Sequence, residues 1–466
     1  MLRFFRINDP YRLLAVLLLL IGLALPLLLH PLPVMITEMQ DRVLGVSMQE
    51  GRSLYLELVD DTPWLAASLS ALTQSVLGDS QTGRHIMALL LIFFQAAYFS
   101  SVLIRNRAYN ESNYLPALVF TILCFFSFDV LSFSRELLAS SFLLLALNNL
   151  FREIEFKVQQ EETILNLGFF LGLASLIVFS FACFWLGTLL ILVVFARLTL
   201  RKSLLLTFGF VLPHLALICV YFLRGGLPQL MEYFYAPNLT LQTTPLISWR
   251  SIFWLGSGVL VFFCFSIVML NREARFTKYQ SQLLQVMLLW LSIAVLEVVF
   301  TRVRTPHSFI PFIPPLTYFI SHYLLLIRRK WLAETMLWIF LISTVALSST
   351  ARWGKLKAVD YSTLFLGANP EPSVQNRRVM VLGDGLTSYQ NNTPASYFLN
   401  WQLSEPIFKN PGYYENLIRI NASFEKCLPD VIIDRTHVMP DVFKYLPRWR
   451  NRYEAAGAVY TLRRPD

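Results

Sequence analysis

Charge is scarce in this chain. Only 15% of its residues are Asp, Glu, Lys or Arg while 55% are hydrophobic, against about 25% charged in an ordinary soluble domain. Cysteine is scarcer still, with five in 466 residues. Four of these, Cys124, Cys183, Cys219 and Cys264, lie in apolar runs, where a thiol packs as a small hydrophobe. Cys427 is alone in the polar tail, which excludes an internal disulfide there, and no cysteine spacing reads as a metal site. A full glycine-rich phosphate fingerprint is also missing. The stretch RVMVLGDGL has only Gly383-Asp384-Gly385, which reads first as a tight turn after a core strand and only second as a backbone phosphate cradle. The formal charge of +9 is spread over the ends of apolar runs, not gathered on one module, so no nucleic-acid partner is indicated.

What the chain has in abundance is long hydrophobic runs. Runs of about 18 apolar residues are long enough to cross a bilayer core of about 30 Å. They fall near 13–32, 85–104, 114–132, 137–151, 164–180, 182–197, 203–223, 251–270, 283–300, 308–327 and 331–349. The block 164–196 is too long for one helix and is expected to fold back around Phe181–Phe184. The first run lacks a small-residue cleavage site and leads into further spans, so it reads as a retained helix, not a signal peptide. The fold class is therefore an α-helical polytopic membrane protein of about eleven transmembrane helices.

Basic residues orient it. Arg3, Arg6 and Arg12 precede the first run. Arg105 and Arg107, Arg152 and Lys157, Arg197 with Arg201 and Lys202, Arg272 with Arg275 and Lys278, and Arg328, Arg329 and Lys330 occupy alternate loops. All fall on one side if the N-terminus is cytoplasmic, as the positive-inside rule requires. The segment 34–84, the loop 224–250 and the tail 351–466 then face the exterior. In the tail, RVMVLGDGL, DVIIDR and AVYTLRR read as strands, and PASYFLNWQL and MPDVFKYLPRW as helices. Such alternation indicates a small α/β domain.

The segment 34–84 contains an ordered series: Gly51-Arg-Ser-Leu-Tyr55, then Asp60-Asp61-Thr-Pro63-Trp64, then Gly78-Asp-Ser and Arg84. It resembles the first exterior loop of the GT-C superfamily of membrane glycosyltransferases. SRELLASSFLLLALNNLFR, from Ser134, is similar to the arginine-led fourth helix of that module. TRVRTPHSFIPFIPPLTYFISHYLLLIRRK, from Thr301, resembles its basic, proline-rich helix. The likeness covers most of residues 10–350. It implies a GT-C-like transmembrane domain at 1–350 with its first exterior loop at 34–84, followed by a periplasmic domain at 351–466, in a bacterial inner membrane.

The resemblance also implies chemistry. Such proteins transfer sugar from a polyprenyl-phosphate or polyprenyl-diphosphate carrier to an exterior acceptor. A carboxylate soon after the first span serves as general base or orients the nucleophile, and cations stabilise the phosphate leaving group. The superfamily's acidic pair is replaced here by ITEMQDR, in which Glu38 and Asp41 are three apart and share a helix face; these are the catalytic candidates. Asp60 and Asp61 stand at the loop's "D..P" position and also suit a cap for a helix starting at Pro63. Arg135 and Glu136, with Asp129 close in sequence, are substrate-binding candidates. So are Arg302, Arg304 and His307, whose cationic side chains on the exterior call for a partner, either a lipid phosphate or the in-span Glu297. The YFYAP run near Tyr235 reads as a flap or an interfacial anchor. His214 and His322 read as helix-packing groups. Membrane lipids and a polyprenyl-phosphate carrier are the implied partners, and a divalent cation and envelope protein partners are compatible with this reading. Two alternatives remain: a catalytically silent relative acting as a subunit of an envelope complex, and a transporter or lipid flippase. The latter ranks last because no internal repeat is evident.

Overall fold

The computed structural model describes all residues except 31–32, 156–160, 197–198, 241–242, 274–275, 368–373 and 464–466. Lys157, Arg197 and Arg275, used above for orientation, lie outside the described residues. The chain resolves into two compact units. One comprises Met1–Leu32, Ser80–Leu217 and Leu241–Thr363; the other comprises Pro33–Asp79, Ile218–Thr240 and Leu364–Asp466.

The first unit is helical because a hydrocarbon surrounding leaves backbone groups no partner but each other. Among the described residues of the whole chain, eight helices are long and apolar enough to cross a membrane: Arg12–Leu29, Gln81–Arg105, Arg135–Ile154, Leu200–Leu223, Trp249–Arg272, Lys278–Phe300, Pro306–Leu326 and Lys330–Arg352. Leu115–Cys124, Glu161–Ser175 and Cys183–Phe195 are shorter. Every run read from the sequence thus carries a helix, and the protein is a multipass membrane protein. The expected fold-back falls in a 3-10 turn at Phe179–Ala182.

Helix faces follow the environment on each side. In Arg12–Leu29 the residues Val16, Leu20, Ala24 and Leu27 are buried while Leu14, Leu18, Ile21 and Leu25 are exposed. Both faces are apolar because lipid gives a helix no reason to turn a polar face outward. Glycines set the closest crossing: a Cβ on Gly168 would stand 2.1 Å from the Leu206 carbonyl oxygen, and one on Gly209 would stand 2.3 Å from that of Leu165. Helices Glu161–Ser175 and Leu200–Leu223 therefore approach almost backbone to backbone, as small residues permit in membranes. His214 Nε2 lies 2.7 Å from Ser175 Oγ, and His322 packs between Tyr109 and Tyr318. Both are helix-packing groups.

The second unit contains a five-stranded sheet. Its strands are β1 (Arg378–Leu382), β2 (Thr393–Pro394), β3 (Val431–Asp434), β4 (Tyr453–Ala456) and β5 (Val459–Leu462), in spatial order β2-β1-β3-β5-β4. β1 is parallel to β2 and β3, whereas β5 is antiparallel to β3 and β4. The α/β character expected for the tail holds. Three elements were not anticipated, β2, the Tyr414–Cys427 helix and β4. PASYFLNWQL is not helical throughout: its helix begins only at Trp401, where the Asn400 side chain accepts from the Leu403 amide and caps it. Gly383-Asp384-Gly385 is a tight turn wrapped around Arg435, whose Nη1 donates to the Asp384 carbonyl at 2.7 Å.

Candidate functional site

In the second unit, the catalytic candidates stand on the Ile36–Gln49 helix. Met39 and Val43, one turn apart, join Val379, Val381, Tyr389, Val431 and Ile433 in one core, so this helix packs on the sheet through its apolar side. Helical spacing places Glu38 and Asp41 away from Met39 and Val43 and nearer the side that carries Gly45. There the Trp64–Leu77 helix comes so close that a Cβ on Gly45 would stand 2.7 Å from the Ser70 carbonyl oxygen. Glu38 and Asp41 are both half-buried, and the next residue, Arg42, pairs with Asp79.

The loop that follows is rigidly held. Arg52 is buried and donates to Ser47 Oγ at 3.2 Å, to the carbonyls of Pro394 at 2.9 Å and Ser396 at 3.3 Å, and to Glu50. Tyr55 has φ +62°, a conformation uncommon for a residue with a side chain and one the surroundings must enforce. Its ring stacks on Phe234 at 5.9 Å and meets Tyr221 at 5.5 Å, and its hydroxyl donates to the Thr62 carbonyl at 2.6 Å. Burial, then the neighbouring Tyr221, Asp60 and Asp61, push that hydroxyl far above the usual tyrosine range, so it stays a donor.

The following helix starts at Trp64, and the residue at its N-cap position is Pro63, which makes no side-chain cap bond. Asp60 accepts from the Thr62 amide at 2.8 Å, closing a local turn. Asp61 accepts from Asn400 Nδ2 at 2.7 Å, and its carbonyl accepts from Asn238 Nδ2 at 2.9 Å. The aromatic run around Tyr235 is helical in this unit, with Tyr233 and Phe234 buried.

The first unit has its own polar cluster. Glu297, in the last turn of helix Lys278–Phe300, is fully buried; its Oε1 accepts from Ser180 at 2.5 Å and Thr301 at 2.6 Å. The chain then leaves the helix as a short strand, in which Val303–Arg304 pairs in parallel with Thr244–Pro245. Arg304 lies in this strand, and Arg302 directly precedes it, its carbonyl accepting from the Thr244 amide at 2.7 Å. The Arg304 guanidinium lies 4.3 Å from the Trp249 ring centroid, a cation–π contact. Thr305 and Ser308 form a capping box for the turn beginning at Pro306.

That turn buries His307. Its Nδ1 lies 3.2 Å from Asp129 Oδ2, and the two residues are 3% and 1% exposed. Ser127 Oγ donates to Asp129 Oδ1 and lies 3.3 Å from the Tyr361 hydroxyl. Arg135 and Glu136 open helix Arg135–Ile154 behind the Ser134 cap, and Glu136 is within Coulombic reach of Glu297. The contacts of Asp129 with His307 and of Glu297 with Ser180 were not visible in the sequence, since only isolated polar residues at apolar run ends hinted at them. Among the described residues no group of three or more His, Cys, Asp or Glu could hold a metal ion.

Residues 69–356 match the family of unknown function DUF6427. The chain belongs to this family. No curated protein matches the sequence. Among solved structures, ArnT from Cupriavidus metallidurans, bound to undecaprenyl phosphate, aligns at 12% identity and a TM-score of 0.58, covering 97% of each chain. The apo oligosaccharyltransferase of Archaeoglobus fulgidus aligns at 10% identity and a TM-score of 0.49, covering 91% of this chain and 69% of its own. At such identity the ArnT alignment speaks to fold, and the fold of this DUF6427 member is that of the GT-C membrane glycosyltransferases.

Proposed function

We propose that this protein is a GT-C-type glycosyltransferase of a bacterial cytoplasmic membrane, moving a sugar from a polyprenyl-phosphate-linked donor to an acceptor of the exterior envelope. The observation that carries the reading is the fold shared over 97% of both chains with ArnT, whose structure holds undecaprenyl phosphate. The N-terminus is then cytoplasmic and residues 351–466 are periplasmic. Arg302 and Arg304 bind the donor phosphate, and the short parallel strand that holds Arg304 supports this role by limiting the freedom its cation must lose. As the glycosidic C–O bond breaks, negative charge collects on the departing phosphate, which is where fixed cations accelerate transfer. Arg135, Glu136 and His307 contribute further polar groups for holding substrate. Glu38 and Asp41 hold and orient the acceptor, and Asp60 and Asp61 shape the loop that follows them.

A second reading, a silent relative serving as a membrane subunit of an envelope complex, is favoured by one observation. Glu38 and Asp41 are not adjacent, and both sit half-buried on a helix packed against a sheet. Glu38→Gln decides between the two because it keeps shape and removes charge. Exterior glycan composition, measured in cells with matched membrane levels of protein, is expected to show transfer lowered roughly 10²-fold or more. Normal glycan with both Glu38→Gln and Asp41→Asn would give first place to the subunit reading.

A further inference from the structure

Buried polar atoms almost always find partners, and each exception calls for an explanation such as strain, a bound water or ion, or a catalytic role. His307 is such an exception. Its ring is 3% exposed and Nδ1 lies 3.2 Å from Asp129 Oδ2, while neither Nε2 nor that Asp129 oxygen meets a hydrogen-bond partner among the described residues. The nearness of Asp129 favours one tautomer. A ring lone pair held 3.2 Å from a carboxylate oxygen would be repelled, so Nδ1 carries the proton and the bare lone pair is on Nε2. Asp129 is fixed in turn by Ser127, which contacts Tyr361. The order hydroxyl, carboxylate, imidazole, free Nε2 is the arrangement by which a histidine is held ready to receive a proton and the resulting imidazolium is stabilised. Arg302 and Arg304 lie five and three residues before it on the same segment, so phosphate charge already has cations and need not be met by the histidine.

We propose that His307 Nε2 takes the proton of the acceptor hydroxyl during sugar transfer and that Asp129 positions it. This rests on the glycosyltransferase reading. In the step, the acceptor oxygen forms a bond to the sugar's anomeric carbon as its proton moves to Nε2. The bond from that carbon to the phosphate oxygen breaks, and its electron pair leaves with the polyprenyl phosphate. Asp129 touches neither reactant.

The full-length protein in lipid nanodiscs, labelled with 15N-histidine, tests this without any turnover. Six histidines are present, and His307→Gln identifies the signal in question. Wild type is expected to show His307 protonated at Nδ1 and bare at Nε2, with that preference lost in Asp129→Asn. A His307 protonated at Nε2 in the neutral wild type would overturn the proposal. The second arm measures sugar transfer beside binding of a polyprenyl phosphate. His307→Gln and Asp129→Asn are expected to lower transfer roughly 10²-fold while lipid binding stays within about twofold and melting is unchanged. Loss of lipid binding in a folded His307→Gln would make His307 a phosphate ligand and overturn the assignment, as would undiminished transfer. A wild type that binds the lipid but transfers nothing overturns the enzymatic reading and this role with it, a failure seen in the wild type and not in the variants.

Discussion

Arg52 donates from Nη2 to the carbonyl oxygen of Pro394 at 2.9 Å, joining the loop after the Ile36–Gln49 helix to the edge strand β2. Its side chain is 2% exposed while its ionic partner Glu50 is 37% exposed, so the energetic weight falls on the buried carbonyl bonds. Arg52→Met would leave the oxygens of Pro394 and Ser396 without this donor, at a cost of about 1–3 kcal/mol. Melting in detergent is expected to shift downward and the tail to become sensitive to protease. An unchanged melting curve would show that the guanidinium contributes little.

The same unit should weaken in acid. Burial alone would raise the Glu57 carboxyl, but hydrogen bonds from Lys426 and from the Ser53 amide hold it below the usual glutamate range. A carboxyl depressed on folding stabilises above its unfolded pKa, about 4.3 for glutamate. That stabilisation fades as pH falls from there through the lower folded value. Wild type and Glu57→Gln are therefore expected to melt apart at pH 7 and to converge below about pH 4. Parallel curves across that range would contradict the pairing.

Membrane architecture was legible because hydrocarbon imposes one requirement, long apolar helices, and the runs that satisfy it cannot be mistaken for anything else. The break near Phe181 was equally plain, since a block of that length exceeds one bilayer crossing. Strands β1, β3 and β5 were readable from apolar runs bounded by turn residues. β4 was not, because Glu454, Ala455 and Ala456 are exposed and carry no apolar signal. Met39 and Val43 announce an amphipathic helix, but nothing local says that their partner is a sheet more than three hundred residues later. The meeting of Asp129 with His307 was illegible for the same reason. Periodicity reports which face is buried, not what buries it.

Orientation is open to direct test. Reporter fusions after residues 107, 202, 278 and 330 are expected to report cytoplasm and one after residue 360 to report the exterior, as the distribution of basic residues requires. A cytoplasmic signal at 360 would put Arg302, Arg304 and the tail on the wrong side of the membrane for an exterior transferase.

The central claim is that this protein handles a polyprenyl phosphate through Arg302 and Arg304. Binding of a polyprenyl phosphate to the purified protein, compared with an Arg302→Gln/Arg304→Gln double variant of matched melting temperature, tests it most directly. Each charge-assisted bond to phosphate is worth about 1.5–3 kcal/mol, so the account predicts saturable binding by wild type that weakens at least tenfold in the double variant. Equal binding by both proteins, or none by wild type, would contradict it.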